Sequence, residues 1–220
     1  MLKRLREDRA VTRRLSFPYV LALPQDYDAL PDKRWPLVVM LHGAGERGDD
    51  YDVLCRHGFL RRAAAGEEFP FLLAAPQCPA DKYWGGYIES LNDFLDGLLD
   101  RLRVDADRVY LTGLSMGGTG TWLWAMANPE RFAAIAPVCG TGICWYGEAL
   151  RQVPVWCFHG DKDDTVPLDE SVRMVERVNE RGGSARLTIF EGVGHDSWER
   201  AYAGSALADW LLSHRTFWVP

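Results

Sequence analysis

No apolar run in this 220-residue chain approaches the roughly 20 residues that span a bilayer, so no membrane segment is expected. The opening stretch carries Lys3, Arg4, Arg6, Arg9, Arg13 and Arg14, interrupted by Glu7 and Asp8. It lacks the apolar core of a secretory signal, and residues 1–16 read as a solvated surface arm. Basic charge is not in excess either. Lys and Arg number 25 against 31 Asp and Glu, the net charge is −6, and the pI is near 5.4. That balance argues against a nucleic-acid partner. Cysteines are few and unpatterned: Cys55, Cys78, Cys139, Cys144 and Cys157 form an odd set without a disulfide framework. Several lie in apolar runs, which reads as free buried thiols in a reducing cytoplasm. Cys55-Arg56-His57 has no partner cluster, so neither a metal nor another cofactor is expected. There is no internal repeat, low-complexity tract or linker, and residues 1–220 are expected to form one domain.

What is present is alternation. Continuous apolar runs of strand length occur at Trp35–Leu41, Phe69–Ala75, Phe132–Val138 and Val153–Phe158. Such runs suit parallel strands buried on both faces. Phe17–Pro24, Arg108–Thr112 and Ala185–Phe190 read as further strands. Between them lie helical segments, at residues 52–65, 89–103, 118–127, 168–181 and 199–213. The clearest carries Leu91, Phe94, Leu95, Leu98, Leu99 and Leu102 at helical spacing. Strands alternating with helices imply an α/β fold, a doubly wound, mostly parallel sheet flanked by helices.

The chemistry gathers at the strand ends, where ligands bind in such sheets. Gly113-Leu114-Ser115-Met116-Gly117 sits between a strand and a helix, the context that a G-x-S-x-G elbow needs. There Ser115 is exposed on a strained turn as a nucleophile. The N–H of Met116, at a helix N-terminus, can face an anion. A serine nucleophile needs a base, and the base needs a carboxylate to hold its tautomer. His195 follows the last strand, and Asp161, Asp163 and Asp164 follow the last but one. The order Ser…Asp…His is that of the α/β-hydrolases. Residue types alone leave the choice among the three aspartates open. His42 and His159 each precede a glycine at a strand end and are expected to brace loops rather than move protons.

Leu41-His42-Gly43-Ala44-Gly45-Glu46-Arg47-Gly48, Gly113-Leu114-Ser115-Met116-Gly117-Gly118, His159-Gly160-Asp161-Lys162-Asp163-Asp164-Thr165-Val166-Pro167 and Gly194-His195-Asp196-Ser197-Trp198 together resemble one superfamily. The chain is similar to α/β-hydrolases of the phospholipase/carboxylesterase and dienelactone-hydrolase-like group, nearer its predicted-peptidase-like esterase branch. The resemblance covers residues 17–213. It implies a triad of Ser115, Asp163 and His195, with Asp164 the next choice for the carboxylate. It also implies an oxyanion hole from the N–H groups of Ala44 and Met116. Dienelactone hydrolases proper carry cysteine at the elbow, and Ser115 departs from them.

The expected activity is serine carboxylesterase hydrolysis of a small-molecule ester through an acyl-enzyme, without a cofactor. Thioester or small-peptide cleavage by the same triad is the alternative, and a non-catalytic binder is the third reading. Trp84, Trp145 and Trp198 are candidates for the substrate pocket, since loop aromatics at that face make apolar walls. Local core packing would account for Trp84 and Trp145 equally well. The slot from Cys139 to Val153, where many relatives of this fold insert a cap, is short and holds Gly140, Gly142 and Gly147. No large cap domain is expected, and the open cleft predicts short acyl groups of roughly two to six carbons, or compact aryl esters.

Overall fold

In the computed structural model, residues 16–216 are described, together with residues 3, 4, 6–9 and 12. The described residues of the expected arm are exposed; the rest of it lies outside the described residues.

Seven strands form one sheet in the order β1-β3-β2-β4-β5-β6-β7. They are β1 (Tyr19–Ala22), β2 (Trp35–Leu41), β3 (Leu72–Pro76), β4 (Val104–Leu114), β5 (Ala134–Val138), β6 (Val155–Gly160) and β7 (Ala185–Phe190). Only β1 runs antiparallel, along β3 at the edge. Every residue of β2 is buried, as the continuous apolar run requires of a strand covered on both faces. Its side chains alternate: Leu37, Val39 and Leu41 enter one core, Val38 and Met40 the other.

The helices divide accordingly. α3 (Ile88–Arg101), α4 (Met116–Ala127) and α5 (Leu168–Glu180) cover the first face through residues such as Leu95, Trp122 and Met174. α1 (Tyr51–Leu54), α2 (Gly58–Ala64), α6 (Trp198–Ala201) and α7 (Ala206–Leu212) cover the second through Leu54, Phe59, Ala201 and Leu211. Trp122 and Trp124 in α4 are fully buried, which anchors the helix against the sheet.

Several boundaries differ from the sequence expectation. The helix expected over 52–65 breaks at Cys55–His57, where Gly58 takes φ +62°, and the one over 199–213 breaks near Gly204 at φ +64°. Apolar spacing continues across both breaks, so periodicity alone does not register them. β4 starts at Val104 because Val104 pairs with Trp35 across a register shift. The slot from Cys139 to Val153 holds only a 3₁₀ segment, Cys144–Leu150, and no cap. No described helix is long and apolar enough to cross a membrane.

Candidate active site

β4 delivers Ser115 into a turn with φ +53° and ψ −116°, left-handed backbone that a non-glycine residue holds only under constraint. The constraint is visible on both sides. Ser115 N–H donates to Val138 O at 2.9 Å, and Thr119 N–H donates to Ser115 O at 2.9 Å. Gly117 is needed for close approach: a Cβ there would lie 2.7 Å from the carbonyl oxygen of His42. Met116 begins α4, so its N–H has no intrahelical acceptor.

Ser115 Oγ lies 2.8 Å from His195 Nε2, and His195 Nδ1 lies 2.8 Å from Asp163 Oδ2. The Asp163 carboxylate is fully buried. Its Oδ1 accepts the N–H groups of Thr165 at 3.0 Å and Val166 at 2.9 Å. Burial pushes this carboxyl's pKa up. The hydrogen bonds from His195, Val166 and Thr165 outweigh it and hold the group below its ordinary range. With a carboxylate at Nδ1, the proton of neutral His195 belongs on Nδ1, which leaves Nε2 to accept from Ser115. The neighbouring aspartates face elsewhere. Asp161 Oδ1 accepts Gly192 N–H at 2.7 Å, and Asp164 Oδ1 accepts the Thr165 hydroxyl at 3.3 Å.

The loop after β2 is braced from behind. His42 is buried, and burial lowers its pKa to about 4, so it stays neutral at ordinary pH. Its Nε2 accepts Cys78 N–H at 2.9 Å, so its Nδ1 carries the proton and donates to Gly43 O at 2.6 Å. Glu46 accepts Gly43 N–H at 2.9 Å. Gln77 donates to Glu46 O and Asp50 O, both at 2.9 Å. The N–H of Gly43 is therefore occupied, and Ala44, the next residue, is exposed. His159 is equally buried. Its Nε2 lies 2.9 Å from Val166 O and 3.1 Å from Asp163 Oδ2, while Nδ1 lies 2.7 Å from Ser171 Oγ. Glu46, Gln77 and Ser171 are supports that sequence reasoning missed. Gln77 and Ser171 are ordinary polar residues that no motif marks, and Glu46 lies within the Leu41–Gly48 stretch, where nothing local shows its carboxylate turning inward to Gly43 N–H.

The three tryptophans separate. Trp84 is 1% exposed, packs edge-on against His42 and donates Nε1–H to His42 O at 3.1 Å. It cannot touch a ligand as a pocket wall. The 3₁₀ turn Trp84–Tyr87 rolls its ring under the β2 loop. Trp145 is 91% exposed, and Trp198 packs edge-on against His195 at 5.3 Å between ring centres. Cys139 Sγ, Asp163 and His195 offer ligand atoms within 4.8 Å of one another. Burial pushes the Cys139 thiol up to about 12, and both His195 nitrogens already face partners, so this donor set is poorly suited to a metal. The cysteines are all free thiols.

The dienelactone hydrolase family profile matches residues 87–206, more than half of the chain and the span that holds all three members of the hydrogen-bonded array. The chain belongs to the dienelactone hydrolase family. It is 29% identical over 168 residues to a poly(3-hydroxyoctanoate) depolymerase from Pseudomonas fluorescens, covering 66% of this chain and 59% of that enzyme. A crystal structure of a thermostable esterase is 33% identical, with a TM-score of 0.79, over 90% of this chain and 59% of that one. Esterase PE8 is 27% identical, with a TM-score of 0.64, over 87% of this chain and 97% of that one. The chain spans 11% to 59% of the length of the first curated relatives it matches.

Proposed function

We propose that this member of the family is a serine hydrolase of carboxylic esters. The observation that carries the reading is the unbroken array Ser115–His195–Asp163, with 2.8 Å at each junction, mounted on a strained elbow. In the proposed reaction, Ser115 Oγ attacks the ester carbonyl while His195 Nε2 takes its proton. Charge on the carbonyl oxygen is met by the N–H groups of Met116 and Ala44, donors fixed before the reaction begins. His195 then protonates the departing alcohol, leaving an acyl group on Ser115. Water, deprotonated by the same nitrogen, releases the acid. Asp163 remains ionised throughout and stabilises the imidazolium.

The reading treats the chain as one α/β-hydrolase unit, since one sheet carries every loop involved. Free thiols fit a reducing compartment such as the cytoplasm. A small-molecule ester is the proposed substrate. The test is labelling by a fluorophosphonate together with p-nitrophenyl acetate hydrolysis. The wild-type chain is expected to label and turn over, and Ser115→Ala to do neither. A Ser115→Ala protein that keeps a tenth of the wild-type kcat refutes the assignment.

A further inference from the structure

α4 carries a stripe of side chains that the hydrolytic array does not use. Met116, Thr119, Leu123 and Ala127 are the positions of this helix that are not buried. Their spacing of three and four residues puts them on one helical face. Ser115 caps the helix, so the stripe starts at the nucleophile. Leu123 lies seven residues beyond Met116, roughly 10 Å along the axis. There the stripe becomes the floor of an apolar groove of about 450 Å³. Ile88, Ile143 and Tyr146 line it as well. Gly85 approaches closely: a Cβ there would lie 3.0 Å from Leu123 Cδ1. No charged side chain lines the groove, and Ile143 and Tyr146 are 43% and 63% exposed.

We propose that this groove is the acyl site of the enzyme and that it takes unbranched acyl chains of medium length, about eight to ten carbons. The proposal rests on the ester-hydrolase reading. Direction follows from the proton transfers. His195 must protonate the leaving oxygen, so the alcohol stays beside its ring. The segment that follows His195, with Trp198 and Ala201, packs on the second face of the sheet. Ile88, Leu123 and Met126 belong to the first. A chain running along α4 leaves the imidazole free for the alcohol. Length follows from reach. An extended chain advances about 3.5 Å per three bonds, so roughly 10 Å takes about eight bonds. Acetyl and butyryl groups stop short of Leu123. Octanoyl reaches it, and decanoyl lies along the groove toward Ala127. This exceeds the two to six carbons expected from the sequence. The short slot after β5 forms no lid, but its Ile143 and Tyr146 supply a side wall.

A fully buried methylene is worth about fourfold in kcat/KM, and one covered on half its surface about twofold. The test is a profile of p-nitrophenyl acetate, butyrate, hexanoate, octanoate and decanoate on the full chain, each below its micellar limit. The expected result is little change up to butyrate and a rise of about tenfold from hexanoate to decanoate. Ala127→Trp and Ile143→Glu, both at exposed positions, are expected to lower the decanoate-to-acetate ratio at least fivefold. Octanoate titrated calorimetrically into Ser115→Ala is expected to bind, and adding Ile143→Glu to that protein to weaken binding at least fivefold. A flat profile with acetate hydrolysis intact overturns the groove and leaves the hydrolase reading standing. So do groove variants that scale all esters equally. If ester hydrolysis and fluorophosphonate labelling are both absent, the hydrolase reading fails, and the octanoate titration alone upholds or overturns the groove.

Discussion

Asp163→Asn replaces one oxygen by an NH₂ group and sets two sides of the residue against each other. Oδ1 accepts from Thr165 and Val166, and Oδ2 faces ring nitrogens of His195 and His159. If the amide oxygen keeps the Oδ1 position, the NH₂ points at His195 Nδ1. That nitrogen must then accept, and the imidazole proton moves to Nε2. An Nε2–H cannot take the proton of Ser115. If the amide flips, its NH₂ faces the two backbone N–H groups instead. The flip gives up both of those hydrogen bonds and sets donor against donor, so it is the poorer solution. The tautomer error should therefore dominate, with a loss of about 10⁴ in kcat, as in a well-studied triad. That corresponds to about 5 kcal/mol of transition-state stabilisation. The neighbours set the scale. Asp161→Asn keeps an oxygen for Gly192 N–H, and Asp164 bonds only the adjacent Thr165 hydroxyl at the surface. Neither carboxylate is bonded to His195, so both variants are expected to keep kcat near the wild-type value. The assay is kcat on p-nitrophenyl acetate for the three variants, with a thermal melt to confirm folding. A folded Asp163→Asn protein with more than a hundredth of wild-type kcat refutes the reasoning, as does Asp164→Asn being the most damaged of the three.

Ser115→Ala and His195→Ala should each abolish nearly all hydrolysis, and the double variant should be little worse than either; losses that multiply would mean the two residues act separately. His42 should stay neutral until pH falls near 4, since burial lowers its pKa from 6.5 to about 4. Between those values the unfolded chain binds the proton and the folded chain does not. Stability is thus fully present above pH 6.5 and declines toward pH 4, by about 3 kcal/mol in all. An imidazole NMR titration with a midpoint above 6 for His42 contradicts this. Gly117→Ala forces a Cβ to within 2.7 Å of His42 O, and the resulting shift of the elbow should cost about a hundredfold in kcat. Near-normal activity in that variant would show the elbow to be softer than its packing implies.

The sheet was legible because its strands are buried on both faces and so read as unbroken apolar runs; β2 and β5 are the clearest. The helix breaks at Cys55–His57 and near Gly204 were not, because they interrupt backbone geometry without interrupting apolar spacing. At the site, residue types at strand ends pointed to Ser115 and His195. They could not separate Asp161, Asp163 and Asp164, which share one chemistry. What separates them is which carboxylate the backbone turns inward, and that depends on the N–H groups of Thr165 and Val166 closing on Asp163 Oδ1.

Trp84 shows the limit from the other side. In a loop rich in aromatics and glycine it reads equally well as a ligand wall or as core packing. Yet Gly120, on α4, leaves the space that its ring fills: a Cβ there would lie 2.7 Å from Trp84 Cβ. A tryptophan and the glycine that accommodates it form a single packing feature, split between residues 84 and 120. Neither half signals it alone. The same holds for Gln77, which donates to Glu46 O, and for His159, whose Nε2 lies 3.1 Å from Asp163 Oδ2. Buried polar groups must find partners. The supports of the Ser115–His195–Asp163 array are therefore set by pairings across the fold, while its members stand out as candidates from local strand-end chemistry. That is why Ser115 and His195 could be named from residue order, and why the brace behind Ala44 required the folded chain.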